Sequence, residues 1–337
     1  MSIIRNISRN AVVRKIVPYW LQARLWDIVI KNKGEKLRKT LLKYDEISVR
    51  NTPPPPPLTK CKAMNYLKNT KNGFYKEDFL RIYLEKTQEF SCFNFCGALL
   101  PDVTNDREIT NSLLQIFQDV FFFPCFLNDN YDKKNIDIFD PCMMEGPYGY
   151  TDGNFDVTVK KNDVVIDAGA WIGDFSAYAA SKEAICYAFE PVKKNYELLK
   201  ETVNLNKNKI IPVEKALGLK EEDVMIYISI YDTAGAGYVP KGKKAELIPQ
   251  LINVTTLDKY VEENNITKVD FIKADIEGEE RNLLYGSTKI LQNYAPKLAI
   301  CTYHSPADPQ LLEKIILDAN SHYKVIHTRQ KLFAMIN

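Results

Sequence analysis

The chain has 337 residues, of which 45% are hydrophobic and 26% charged, with a formal net charge of +2. This length exceeds that of most single domains, so it predicts a main globular domain with a substantial additional segment. The near-neutral charge argues against a strong overall attraction to nucleic acid. Positive charge is concentrated in residues 1–39, which hold ten basic residues against two acidic ones, an excess of eight.

Residues 1–50 form a basic amphipathic segment, because apolar side chains recur there at helical spacing between basic ones. Two interpretations stay open: a helix packed against protein, which is the commoner origin of such a stripe, and a helix weakly bound to an anionic membrane surface. Arg14, Lys15 and Arg24 interrupt the apolar run, which argues against a signal peptide. No stretch is long enough to predict a transmembrane helix.

Residues 51–59 contain five consecutive prolines and predict an extended proline-rich linker. Residues 60–144 show aromatic runs but no catalytic spacing, and we predict an α-rich cap of unassigned role there. The seven scattered cysteines favour reduced thiols and a cytoplasmic protein, peripheral to the inner membrane face if the basic segment binds lipid. Cys92 and Cys96 lack a second pair or a histidine cluster, so they do not predict a zinc site.

Residues 145–337 alternate strand and helix patterns, which predicts a mostly parallel α/β sheet covered on both faces. After the strand at residues 164–168, the expected elements are a strand at 185–189, a helix at 192–206, strands at 209–213 and 269–274, a helix at 279–291, a strand at 297–302, a helix at 309–320, and closing strands at 323–327 and 332–336. Residues 224–230 and 251–254 predict an inserted hairpin, with TAGAGY in its loop.

Residues 164–174, VVIDAGAWIGD, place a buried strand before a glycine-rich turn and the start of a helix. Gly169 and Gly173 permit a sharp turn and the close approach of a ligand. Asp167 puts a carboxylate at the carboxyl end of the strand, where open α/β sheets bind their ligands. By itself, the stretch indicates a nucleotide-like ligand.

The neighbouring residues indicate which ligand this is. Glu190 ends the second strand, where a carboxylate can accept hydrogen bonds from ribose hydroxyls. The dinucleotide fingerprint is G-x-G-x-x-G, whereas Trp171 stands where a diphosphate needs bare backbone. Asp167 would repel a diphosphate and suits the ammonium or sulfonium of S-adenosylmethionine. A methyl donor is therefore favoured over a nicotinamide cofactor, and a nicotinamide-dependent oxidoreductase is the first alternative function.

Six ordered blocks between about residues 145 and 336 resemble the FkbM-type methyltransferases: VVIDAGAWIGDFSAYAA, YAFEPVKKNYELLKETVNLN, VEKALG, TLDKYVEE, VDFIKADIEGEERNLLYG and TYH. The resemblance implies a Rossmann-like class I fold with a seven-stranded sheet whose last strand is antiparallel. It also implies O-methylation from S-adenosylmethionine, and we expect a hydroxyl of a sugar or surface glycan as the acceptor. A non-catalytic scaffold with this fold is the second alternative.

The resemblance also implies roles for single positions: a donor loop formed by Asp167, Gly169, Ala170, Trp171 and Gly173, ribose binding by Glu190, and adenine contacts from the backbone of Ala216 and Leu217. Plain packing explains the last two equally well. Trp171 departs from the small polar residue, often asparagine, that is associated with its position. This departure puts a polar side-chain contact there in doubt, but not donor binding.

Asp275 and Glu277 follow the fourth strand, and alternation places them on the same side of the chain, facing the crevice. Carboxylates there can hold the methionine amine of the donor or orient an acceptor hydroxyl. We predict Asp275 and Glu277 as catalytic residues, with Asp275 as the residue that orients the acceptor, and we also expect Asp275 to contact the donor. The alternative is an acid favoured by a helix N-terminus, which explains Glu279 and Glu280 well and Asp275 poorly.

His304 follows the fifth strand, and we predict it as the base that takes the proton of the acceptor hydroxyl. A lone histidine is more often structural, which is the alternative here. A variant mechanism would use Mg²⁺ held by Asp275, Glu277 and a further acid. We favour a reaction without a bound metal. The fourth strand is followed by DIEG rather than the (D/N)-P-P-(Y/F) of amino-directed nucleic-acid methyltransferases, so nucleic acid is not the expected acceptor.

Overall fold

A computed structural model describes residues 84–86, 91–95, 97–106, 109–110, 112–113, 148–152, 154–206, 209–229, 232–237, 247–305, 307–328 and 330–336. The basic segment at residues 1–50, the proline-rich linker at 51–59 and most of the predicted cap lie outside these residues. None of the helices in the described ranges is long and apolar enough to cross a membrane.

The strands, in chain order, are β1 (Leu84–Lys86), β2 (Ser91–Phe95), β3 (Ala98–Pro101), β4 (Tyr150–Thr151), β5 (Asp156–Val157), β6 (Val164–Ala168), β7 (Ile185–Phe189), β8 (Ile210–Val213), β9 (Ala216–Leu217), β10 (Glu222–Ser229), β11 (Asp232–Gly237), β12 (Leu247–Thr255), β13 (Phe271–Ala274), β14 (Lys297–Cys301), β15 (Lys324–His327) and β16 (Lys331–Met335). The helices are α1 (Asp174–Ser181), α2 (Lys193–Leu205), α3 (Leu257–Glu263), α4 (Glu280–Tyr285), α5 (Thr288–Asn293) and α6 (Asp308–Ala319).

A seven-stranded sheet in the order β15–β16–β14–β13–β6–β7–β8 forms the centre of the domain. Strands β8, β7, β6, β13 and β14 run parallel to one another, whereas β16 runs antiparallel to both β14 and β15. The central strands are buried on both faces, which explains their nearly continuous apolar sequence. The predicted seven-stranded sheet with a reversed last strand is confirmed.

The helix predicted at residues 279–291 is two helices, α4 and α5. Gly286 lies between them, and a Cβ atom at this position would lie 2.0 Å from the carbonyl oxygen of Gly218. The Gly286 carbonyl accepts a hydrogen bond from the Asp258 amide at the start of α3. Close packing against Gly218, which directly follows β9, therefore requires a glycine at the end of α4.

In its described residues, the insertion contains three strands rather than the two of a hairpin. Strand β10 pairs antiparallel with both β11 and β12, and β12 pairs parallel with the short β9. Residues 233–237, which were expected in a loop, lie in β11. Glycine and alanine have weak strand propensity, so the ladder to β10, and not the local sequence, makes this segment a strand.

The described part of residues 60–144 contains three β-strands, and the α-rich cap predicted for the segment as a whole stays a prediction. Strands β1, β2 and β3 form an antiparallel sheet, and Phe93, Phe95 and Leu100 are buried. The side chain of Asn206, at the end of α2, accepts a hydrogen bond from the Leu99 amide and donates one to its carbonyl oxygen. The three-stranded sheet is therefore hydrogen-bonded to the domain that the sequence places at residues 145–337.

Candidate active site

Close packing requires the two glycines of the donor loop. Gly169 has a φ of +75°, and a Cβ atom there would lie 2.0 Å from the carbonyl oxygen of Asp275. Gly173 has a φ of +85°, and its Cβ would lie 2.7 Å from Leu199 of α2. Both φ values fall in the left-handed region that favours glycine. The sequence assigned these glycines to ligand approach, and the structure adds contacts within the protein that also exclude a side chain.

Asp167 is fully buried at the end of β6, where its charge is already paired. Its Oδ1 lies 3.0 Å from Lys273 Nζ, and its Oδ2 accepts a hydrogen bond of 2.6 Å from Ser176. Lys273 Nζ also donates to the carbonyl oxygen of Gly169 at 2.7 Å. The Asp167 carboxylate therefore holds the lysine that fixes the donor loop. The sequence instead predicts an unpaired Asp167 carboxylate beside a cationic ligand.

Lys273 is a site residue that the sequence analysis did not single out. Burial opposes its charged form, but the carboxylates of Asp167, Asp275 and Asp174 outweigh that penalty and raise the pKa of Lys273 above its usual range. One signal was available in the sequence, a lysine inside the otherwise apolar strand FIKA. Its partner is fixed by the pairing of β13 with β6, which sets Lys273 beside Asp167.

Glu190 connects the end of β7 to the donor loop. Its Oε2 accepts a hydrogen bond from the Trp171 amide at 2.8 Å, and its Oε1 accepts from the Val192 amide at 2.9 Å and from Asn195 at 3.3 Å. Burial raises the pKa of Glu190 to about 7, although these hydrogen bonds oppose the shift. Glu190, which the sequence predicts to bind the ribose hydroxyls, is thus a buried hydrogen-bond acceptor beside the donor loop.

Two further loop residues, Ala170 and Trp171, are also buried. The Ala170 amide donates to the carbonyl oxygen of Phe189 at 2.9 Å, which fixes the loop to β7. Trp171 has a φ of +49°, which is uncommon for a residue with a side chain. Its indole N–H is buried and makes no hydrogen bond within the described residues.

Ala216 and Leu217 lie in β9, which pairs with β12. The Leu217 side chain is buried in the main hydrophobic core, and Ala216 packs against the smaller cluster beneath the insertion. These contacts favour the packing explanation for the two residues, and adenine binding by their backbone stays a prediction.

Asp275 links the donor loop to the second half of the site. Its amide donates to the carbonyl oxygen of Ala168 at 3.2 Å. Its carboxylate accepts hydrogen bonds from the hydroxyls of Tyr148 at 2.6 Å and Tyr303 at 2.9 Å. Burial favours the neutral acid, but the charges of Lys273 and Lys331 hold the pKa of Asp275 below its usual range.

Asp275, Glu277 and His304, the three residues predicted for catalysis, come together. His304 Nε2 lies 3.8 Å from Asp275 Oδ1 and 3.5 Å from Glu277 Oε2. On the other side of the imidazole ring, Nδ1 lies 3.0 Å from Oε1 of the buried Glu280. The grouping of the three residues across two strand ends agrees with the sequence-based prediction.

The carboxylates around His304 affect its protonation. Burial disfavours a charged imidazole, but the carboxylates of Glu277, Glu280 and Asp275 outweigh it and raise the pKa of His304 to about 10. With no cation bound, the surrounding carboxylates favour the protonated form of the ring. The role of base therefore stays a prediction, and it requires that the ring lose this proton before the acceptor reacts.

Sequence reasoning missed Tyr148, Tyr303 and the part played by Glu280. Tyr148 lies 127 positions before Asp275, and nothing local in EGPYGY indicates this contact. Glu280 does begin α4, as its interpretation as a helix N-terminal acid requires, but it also faces the imidazole. Tyr303 was detectable, because it directly precedes His304 at the end of β14.

The sheet order, with its reversed last strand and polar residues gathered at the carboxyl ends of β6, β7, β13 and β14, defines an α/β protein of the class I methyltransferase type. Residues 167–326 match the family described as the methyltransferase FkbM domain, which begins in the donor loop and extends past His304. The resemblance noted in the sequence is therefore confirmed for these residues.

Two relatives illustrate this similarity. The chain is 26% identical over 160 residues to the hexuronic acid methyltransferase AglP of Haloferax volcanii, an alignment that covers 48% of this chain and 64% of the relative. A crystal structure of methyltransferase FkbM from Methylobacillus flagellatus KT aligns with a TM-score of 0.43 and 22% identity, covering 68% of this chain and 55% of the other. The chain thus spans less than two thirds of either relative.

Proposed function

We propose that this protein is an S-adenosylmethionine-dependent O-methyltransferase whose acceptor is a hydroxyl of a sugar or glycan. The observation that carries the proposal is the FkbM domain match over residues 167–326, which contains both the donor loop and the cluster around His304. The loop supplies a turn closed by Gly169 and Gly173 and an acidic residue, Glu190, at the end of the next strand. These are the features that a donor with a ribose requires.

The second half of the site supports a hydroxyl acceptor. Asp275 already accepts hydrogen bonds from two tyrosine hydroxyls, and the half-exposed Glu277 stands beside it. Carboxylates of this kind can orient the hydroxyl of an acceptor for displacement at the methyl carbon. A carbohydrate acceptor is further supported by the name of the Haloferax volcanii relative, a hexuronic acid methyltransferase.

Two features oppose the nicotinamide alternative. Dinucleotide-binding sheets have the order 3-2-1-4-5-6, whereas here the antiparallel β16 stands between β14 and β15. In addition, the bulky Trp171 is buried at the position where the dinucleotide fingerprint has its second glycine.

Calorimetric titration of the full chain with S-adenosylhomocysteine and with NAD tests the choice of donor. We expect S-adenosylhomocysteine to bind at micromolar concentration and NAD to produce no heat of binding. Binding of NAD in the absence of S-adenosylhomocysteine binding would contradict the proposal. Substitution Glu190→Gln should weaken S-adenosylhomocysteine at least about tenfold, because the amide removes the carboxylate that accepts the ribose hydrogen bonds.

A further inference from the structure

The spacing around His304 Nε2 is too wide for hydrogen bonds. The nearest carboxylate oxygens, on Glu277 and Asp275, lie 3.5 and 3.8 Å away. Protein N–H···O hydrogen bonds span about 2.7–3.2 Å. Accordingly, Nε2 makes no hydrogen bond within the described residues, although the His304 side chain is only 10% exposed. Buried polar atoms in proteins normally have a bonding partner, and none of the described side chains supplies one to this nitrogen.

The same spacing fits three ligands of one cation. Six-coordinate divalent ions of the Mg²⁺ size hold oxygen ligands at about 2.1 Å, which puts adjacent ligands about 3.0 Å apart and opposite ones about 4.2 Å apart. The distances of 3.5 and 3.8 Å fall between these limits, and one ligand atom from each of Asp275, Glu277 and His304 lies within 4.8 Å of the other two.

Surrounding contacts orient two of the three ligands. His304 Nδ1 lies 3.0 Å from Glu280 Oε1, and that oxygen also accepts a hydrogen bond from the Ile276 amide. A metal-binding histidine commonly directs its other ring nitrogen at a carboxylate in this way. The hydroxyls of Tyr148 and Tyr303 fix the Asp275 carboxylate, whose oxygens keep a second lone pair.

We propose that Asp275, Glu277 and His304 form a binding site for one divalent cation. Two carboxylates and one imidazole suit an ion that accepts both oxygen and nitrogen ligands, and Mn²⁺ meets that requirement. Three protein ligands leave positions open for water or for an oxygen of the acceptor. This inference replaces our sequence-based preference for a reaction without a metal. Its link to methyl transfer rests on the proposed function, whereas the binding of the cation does not.

Titration of the full chain with Mn²⁺, followed by the electron paramagnetic resonance signal of free Mn²⁺, tests the site without substrates. We expect one ion bound per chain at micromolar concentration. Glu277→Gln should weaken binding at least about tenfold, in the range found when groups around a metal are removed. The Glu277 side chain is 36% exposed, so this variant should fold, and an unchanged thermal midpoint in the absence of metal would verify that.

Glu279→Gln is the matched control, because it removes the same charge two residues away. Glu279 accepts a hydrogen bond from Asn282 and is not one of the proposed ligands. We expect its Mn²⁺ affinity to stay within twofold of the unsubstituted chain, and Mn²⁺ to raise the thermal midpoint of the control but not of Glu277→Gln. Equal affinity in the two variants, or no binding below millimolar Mn²⁺, would overturn the proposal. Loss of Mn²⁺ binding with S-adenosylhomocysteine binding intact would leave the donor assignment standing.

Discussion

The two halves of the site differ in how their charges are balanced. On the donor side, Asp167 is paired with Lys273, and Glu190 accepts hydrogen bonds from two backbone amides. On the acceptor side, three carboxylates surround the single imidazole of His304. The donor side is therefore held by its own contacts, whereas on the acceptor side His304 Nε2 has no hydrogen-bond partner among the described residues.

The largest effect is expected when the balance on the donor side is broken. Lys273→Met leaves the Asp167 carboxylate buried without its partner, and removing one member of a buried ion pair costs about 3–5 kcal/mol. Urea unfolding should show a decrease of this size in the free energy of unfolding. Lys161→Met, which breaks an exposed pair with Glu183, should change it by less than about 1 kcal/mol. Equal losses in the two variants would mean that the buried pair does not stabilise the loop.

On the acceptor side, we expect His304→Ala to lower turnover about 10²-fold or more while the affinity for S-adenosylhomocysteine stays nearly unchanged. The side chain lies against Asp275, Glu277 and Glu280, on the acceptor side of the site. Steady-state kinetics and calorimetry on the same preparation check the two halves separately. Turnover equal to that of the unsubstituted chain would exclude His304 from the chemistry.

The contrast between the halves also explains what could be predicted from the sequence. The donor loop is one contiguous stretch, so Gly169, Gly173 and Asp167 were identifiable from local pattern. The partner of Asp167 depends on the pairing of β13 with β6, and the contact of Tyr148 with Asp275 depends on tertiary packing. Electrostatics at His304 were equally hidden, because Glu280 also satisfies the pattern of a helix N-terminal acid.

A smaller effect should appear in the pH dependence of donor binding. Burial raises the pKa of Glu190 from 4.5 to about 7. Between pH 4.5 and about pH 7 the folded chain therefore binds more protons at this residue than the unfolded chain does. As a result, the contribution of Glu190 to the free energy of unfolding falls as the pH rises through that range. The ionised form accepts hydroxyl hydrogen bonds best, so affinity for S-adenosylhomocysteine should rise by up to about tenfold per pH unit below pH 7.

Calorimetry at pH 6 and pH 8 would measure this dependence, and Glu190→Gln should flatten it. Burial also raises the pKa of the neighbouring Asp174 to about 7. The Glu190→Gln variant should therefore keep the part of the pH dependence that comes from Asp174. The same pH dependence in the variant and the unsubstituted chain would show that Glu190 does not titrate during donor binding.

The smallest expected effect concerns the N-terminal basic segment. We propose that the protein is cytoplasmic and that residues 1–39, with their excess of eight positive charges, attract it weakly to anionic membrane surfaces. Sedimentation with phosphatidylserine vesicles should show binding that decreases with salt, because the attraction is screened. Deletion of residues 1–39 should abolish that binding, and undiminished binding of the shortened chain would contradict it.

The central claim is methyl transfer to a carbohydrate hydroxyl. Its most direct test is incubation of the full chain with S-adenosylmethionine, Mn²⁺ and oligosaccharides with and without uronic acids, followed by mass spectrometry of the products. We predict an oligosaccharide that carries one added methyl ether, formed by the unsubstituted chain and at least about a hundredfold more slowly by His304→Ala. A chain that binds S-adenosylhomocysteine yet methylates none of these acceptors would contradict the claim and favour a non-catalytic scaffold.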